Sequence, residues 1–119
     1  MNFKRADRVG ELIMAEMSDI LLRSVKDPRL HAVTITAVKV TDDLRNAKIY
    51  FVEMGKDELN EEIAAGLTRA RGFVRRELGH RLQLRFVPEI LFVHDKSFGY
   101  GNRIEQLLAQ IAQQEETHD

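Results

Sequence analysis

The 119-residue chain has no cysteine. That excludes disulfide scaffolds, thiolate nucleophiles, zinc ribbons and iron–sulfur clusters together, and it suits a reducing compartment. Long apolar runs are missing too. No stretch approaches the roughly 20 apolar residues of a membrane span, and the opening "MNFKRADRVG" leads into no apolar segment. A soluble cytoplasmic protein with no membrane association is expected. There is no G-x-x-x-x-G-K-[ST] phosphate loop and no G-x-S-x-G elbow. "GYGNRI" at 99–104 has a GxG before a helical pattern but lacks the third glycine of the dinucleotide fingerprint, so a turn opening a helix is the simpler account. His31, His80, His94 and His118 stand far apart, with no pair at the i, i+4 spacing of helical metal ligands. Ser97 has only Asp95 and His94 near it in sequence, and consecutive strand residues point to opposite faces, which argues against a triad. Glu61, Glu62, Asp42 and Asp43 fall where a helix start and a turn would use carboxylates. Neither catalysis, cofactor nor metal is expected.

With 44% hydrophobic residues, the chain can fold around one core without cross-links. Val9, Leu12, Ile13, Met17, Ile20 and Leu21 recur at helical spacing between Arg5 and about Ser24, and Pro28 ends that pattern. "HAVTITAVKVT" is a strand, with Val33 and Ile35 on one face and Val38 and Val40 on the other. The phase slip near Ala37 predicts a bulge. After the connection "DDLRN", "AKIYFVEM" reads as a second, antiparallel strand. An acidic loop then leads to a helix capped by Asn60, with Ile63, Leu67 and Ala70 as its inner stripe. Beyond Gly72 a second stripe, Val74, Leu78 and Leu82, predicts a further helix, with Gly79 a weak point. "PEILFVHD" is a third strand. "GNRIEQLLAQIAQQ" has Ile104, Leu107, Leu108 and Ile111 at helical spacing, and "EETHD" is a fraying tail. The expected order is α-β-β-α-α-β plus a C-terminal helix, one domain over residues 1–112 and a polar tail over 113–119.

Charge is segregated along this layout. "TRARGFVRRELGHRLQLRF", Thr68 to Phe86, holds six arginines against the single acid Glu77, giving +5 in a chain of net −1. A local field of that kind attracts polyanions even at an overall pI of 6.4. Solvated surface arginines covering apolar neighbours would give the same composition. Two helices parted by one or two residues, after a hairpin and before a strand, form the α+β layout of a type II KH-like RNA-binding domain. The GXXG loop of such domains is absent; Ala70, Arg71 and Gly72 stand at the junction.

Taken in order, "RADRVGELI", "DPRLHAVTITAVKVTDDLRNAKIYF", "ARG" and "PEILFVHDKSFGYGNRIEQLL" resemble the bacterial ribosome-binding factor A family, over roughly residues 4 to 111. In that family an Ala-x-Gly kink replaces the KH loop, matched here by Ala70 and Gly72. The resemblance implies a non-enzymatic factor that binds free, immature small ribosomal subunits through their rRNA, supports 5′-end processing of that rRNA, and matters most in the cold. A monomer is expected, with a ribosome-assembly GTPase as a further candidate partner. Arg69, Arg71, Arg75, Arg76, Arg81 and Arg85 are then the candidate RNA contacts beside Gly72, joined by Lys4, Arg5 and Arg8 on the same face. Phe73, the one aromatic inside the basic helix, is expected in the core, making base stacking a minor contribution. A break at Gly72 would also free the Phe73 and Val74 N–H groups as a phosphate seat. A KH-like binder of another RNA, and a module whose arginines meet an acidic protein surface, are the alternatives.

Overall fold

The computed structural model describes residues 4–98 and 108–112. The first helix, α1 (Arg5–Asp19), continues into one wider, π-helical turn, Ile20–Ser24. Val25 is extended. A 3₁₀ turn, Pro28–Ala32, follows, capped by the Asp27 carboxylate, which accepts from the Arg29 N–H at 3.1 Å. Strands β1 (Val33–Val40) and β2 (Asn46–Glu53) form an antiparallel hairpin, and β3 (Glu89–His94) pairs with β2 in parallel. The sheet order is therefore β1-β2-β3. A parallel pair needs a crossover, and α2 (Glu61–Leu82) supplies it.

The core lies between the two helices and the sheet face that carries Ala47, Ile49 and Phe51. Val9, Ile13 and Met17 enter it from α1; Ile63, Leu67, Ala70, Val74 and Leu78 enter it from α2. The slip expected in β1 is present. Its register shifts between Ile35 and Ala37, and the bulged Thr36 donates its hydroxyl to Asp95 at 2.6 Å, reaching past β2 to the end of β3. Ser97 and Thr36 together, Ser97 the more strongly, hold the Asp95 carboxyl below the usual carboxylate range. Asp95 also accepts from the Ser97 N–H and hydroxyl, so it organises its own turn.

The architecture is the expected α+β, KH-like one, with one correction. The sequence predicts two helices parting near Gly72, yet α2 runs without interruption for 22 residues. The two apolar stripes explain why: Ile63, Leu67, Ala70, Val74 and Leu78 follow one another at steps of three or four and so share one face of a single helix. Gly72 is an interior helical residue with no positive φ; among the described glycines only Gly55 has one, at 79°. The helical hydrogen bonding therefore continues through Ala70, Arg71 and Gly72, and the phosphate seat on the Phe73 and Val74 N–H groups is not formed. Of the predicted C-terminal helix, residues 108–112 are helical, with Leu108 and Ile111 exposed. "GYGNRI" and the tail 113–119 lie outside the described residues.

Candidate nucleic-acid interface

Helix α2 begins acidic and ends basic. The Asn60 side chain accepts from the Glu62 and Ile63 N–H groups, and Glu61 and Glu62 lie against the positive end of the helix dipole. On the face away from the core, Arg69, Gly72, Phe73, Arg76 and His80 recur at i, i+3, i+4, i+7 and i+11, and all five are exposed. Neither Arg69, Arg71 nor Arg76 has an ion-pair partner among the described residues. Phe73, expected in the core, is 36% exposed, because its phase is that of Arg69 and Arg76, not of Leu67 and Val74.

Gln83, in the left-handed region at φ 50°, terminates the helix, and the chain folds back towards β3. This return is fixed at Val87 and Pro88. Arg75 donates from Nε to the Pro88 carbonyl at 3.1 Å and from a terminal nitrogen to the Val87 carbonyl at 3.0 Å, and pairs with Glu89 at 3.3 Å. A Cβ on Gly79 would lie 3.0 Å from the Val87 side chain, so glycine lets the segment pack this close without displacing Val87. Arg85 and Phe86 project outward from the pinned segment, the Arg85 guanidinium 5.6 Å from the Phe86 ring centre.

Two depressions meet at Phe86. One lies between α2 and the returning segment and is lined by Gly72, Arg76, Gly79, His80 and Arg85. A side chain at Gly72 would meet nothing within 4 Å, so its absence leaves this surface low beside Arg76. The other, about 680 Å³, brings Arg5 of α1 and Arg45 of the hairpin loop to Arg85 and Phe86, with Asp43 and Glu89 at its margin. Those acids are engaged: Asp43 accepts from the Thr41 hydroxyl and the Arg45 N–H, and Glu89 pairs with Arg75.

The predicted contacts thus divide. Arg76 and Arg85 line one depression, and Arg85 and Arg5 the other, Arg5 coming from the other end of the chain. Arg69 is exposed on the same face of α2 but lines neither, its terminal nitrogen lying towards Gly66. Arg71 sits on the flank of α2 beside Lys48 and Leu91. Arg8 is exposed on α1 without lining either depression, and Lys4 pairs with Asp42 at 3.7 Å. Arg75 holds the returning segment. Arg81 faces inward, 25% exposed, bonded to Asp19 at 2.7 Å, Glu16 at 3.1 Å, Ser24 at 3.1 Å and Glu77 at 3.5 Å. Asp19, then Glu16, hold its proton more tightly than usual. Arg45 and Phe86 are missed by sequence reasoning. Phe86 falls in no periodic pattern, and Arg45 reaches this surface only through the tertiary fold. Among the described residues no cluster of His, Asp and Glu could hold a metal ion, and no helix is long and apolar enough to cross a membrane.

Comparison with known proteins adds a family. A family profile described as "Ribosome-binding factor A" matches residues 5–108. Ribosome-binding factor A of Syntrophus aciditrophicus (strain SB) is 55% identical over 114 residues, covering 96% of this chain and 93% of its own. The crystal structure of ribosome-binding factor A from Thermus thermophilus superposes with a TM-score of 0.65 at 20% identity, over 75% of this chain and 94% of that one. A homology model of the Thermus thermophilus protein, fitted into a cryo-EM map of a 30S complex, gives 0.56 at 22% identity over 72% of this chain and 94% of that one. These two share its fold.

Proposed function

The chain belongs to the ribosome-binding factor A family, and from this we propose that it is a non-enzymatic assembly factor binding the small ribosomal subunit through rRNA. The observation that carries this is the exposed surface of Arg76, Arg85 and Arg5, arginines without an ion-pair partner among the described residues, with Arg69 exposed on the same face of α2. Guanidinium groups donate in pairs to phosphate oxygens, and a folded RNA offers phosphates across such a surface. The Thermus thermophilus relative fitted into a 30S complex supports the same partner.

Its substrate is the free, immature small subunit, and its action precedes final trimming of the 5′ end of the small-subunit rRNA. A ribosome-assembly GTPase is the partner that would release it. Misfolded RNA escapes its traps slowly in the cold, so the protein matters most there. In a strain lacking it, small subunits with untrimmed 5′ rRNA ends accumulate on cooling while large subunits are spared, as gradient sedimentation and primer extension would show. Normal ends and normal subunit ratios at low temperature would remove the proposal.

A further inference from the structure

Phe86 is the most exposed large apolar side chain among the described residues, at 79%, and its position is built, not loose. Val87 and Pro88, immediately after it, are held by the two hydrogen bonds from Arg75 and by the close approach over Gly79. Pro88 is fully buried. The backbone therefore presents the ring to solvent on a fixed support, where an apolar ring gains nothing from folding. Around it the surface is cationic on two sides, Arg76 and Arg85 towards α2, and Arg5 and Arg45 towards the hairpin loop. The Arg85 guanidinium lies over the ring.

Resting on the RNA-binding role proposed above, we propose that Phe86 is a stacking platform for an unpaired base of single-stranded RNA, whose backbone passes from one arginine-lined depression to the other. An aromatic face between phosphate-binding cations is the arrangement by which proteins take hold of single-stranded nucleic acid, because every base has a π-face and every nucleotide a phosphate. A protein surface would be served by the charge alone. A base is what the ring adds. In a duplex the bases are already stacked on one another, so the ring confers preference for single strands.

The test is titration of the full-length protein with a short single-stranded RNA and with an RNA duplex of equal length, comparing wild type, Phe86→Ala, Phe86→Tyr and the double variant Arg69→Glu/Arg76→Glu. Phe86→Ala weakens single-strand binding by about 5- to 150-fold, the range that aromatic-to-alanine changes at stacked bases produce. It leaves the salt dependence and the duplex affinity unchanged, and Phe86→Tyr, which keeps the ring, restores wild-type binding. The unfolding midpoint of Phe86→Ala stays that of wild type, since the ring is solvent-exposed. If Phe86→Ala binds single strands like wild type, or loses single strands and duplex equally, while Arg69→Glu/Arg76→Glu still abolishes binding, the platform is refuted and the arginine surface stands. Failure of the wild-type protein to bind either RNA would overturn the platform and the proposed function together.

Discussion

Arg81 and Arg76 have the same side chain five residues apart on α2, yet their tasks differ because the helix points them in different directions. Arg81 lies in the phase of Val74 and Leu78 and closes a cluster of three carboxylates from α1 and α2. Arg76 lies in the phase of Arg69 and His80 and meets solvent. Arg81→Ala therefore lowers the urea-unfolding midpoint by leaving Glu16, Asp19 and Glu77 without their common cation, and leaves the salt slope of RNA binding unchanged. Arg76→Ala does the reverse, reducing that slope by about 0.7 to 0.9 and leaving the midpoint in place. Equal behaviour of the two variants in both measurements would contradict these assignments. The direction of Arg81 was legible in the sequence, three residues after Leu78 and seven after Val74. The role of Arg75 was not, because its acceptors are carbonyls of a segment beyond the end of the helix.

Within α2, three glycines sit in three surroundings. Gly66 is buried against the Pro28 turn: a Cβ there would lie 3.1 Å from the Asp27 carboxylate and 3.3 Å from buried Leu30. Gly79 admits Val87, and Gly72 faces open space. Gly72→Ala should accordingly stabilise the fold by about 0.8 to 1 kcal/mol, the helix-propensity difference. Gly66→Ala should destabilise it, because the crowding falls on well-packed neighbours. Gly72→Val folds but weakens RNA binding, since its side chain fills the floor beside Arg76. Chemical denaturation and RNA titration separate these outcomes, and a destabilised Gly72→Ala would show that α2 is not continuous there. The limits of the elements were largely legible: Asn60 as a cap, Pro28 and Pro88 as boundaries, the slip at Ala37 as a bulge. The continuity of α2 was legible too, in the common phase of Ile63 through Leu78. Glycine and the family pattern argued for a break, but an interior glycine weakens a helix without ending it when one buried face spans it.

Charge segregation in the chain becomes a polarity of the molecule. The start of α2 and the loop before it carry Asp57, Glu58, Glu61 and Glu62, while the arginines begin at Arg69 and run to the far end, along a helix of about 33 Å. A body charged in this way approaches a polyanion with one end foremost. The sequence showed that the basic segment existed. The fold shows that Arg75 and Arg81 are withdrawn from it, while Arg69, Arg71, Arg76, Arg85 and the Arg5 that the sequence had already joined to it stay exposed. On the function proposed, these five are the ones available to phosphates. The decisive measurement is sedimentation of the purified protein with free small subunits across a salt series, for wild type and for Arg69→Glu/Arg76→Glu. Four to five phosphate contacts predict that the logarithm of the wild-type association constant falls against log salt with a slope of roughly −3 to −4.5. The double variant should leave the subunits at salt concentrations where wild type remains bound. A double variant that stays with the subunits as wild type does at every salt concentration would place the rRNA-binding surface elsewhere on the molecule.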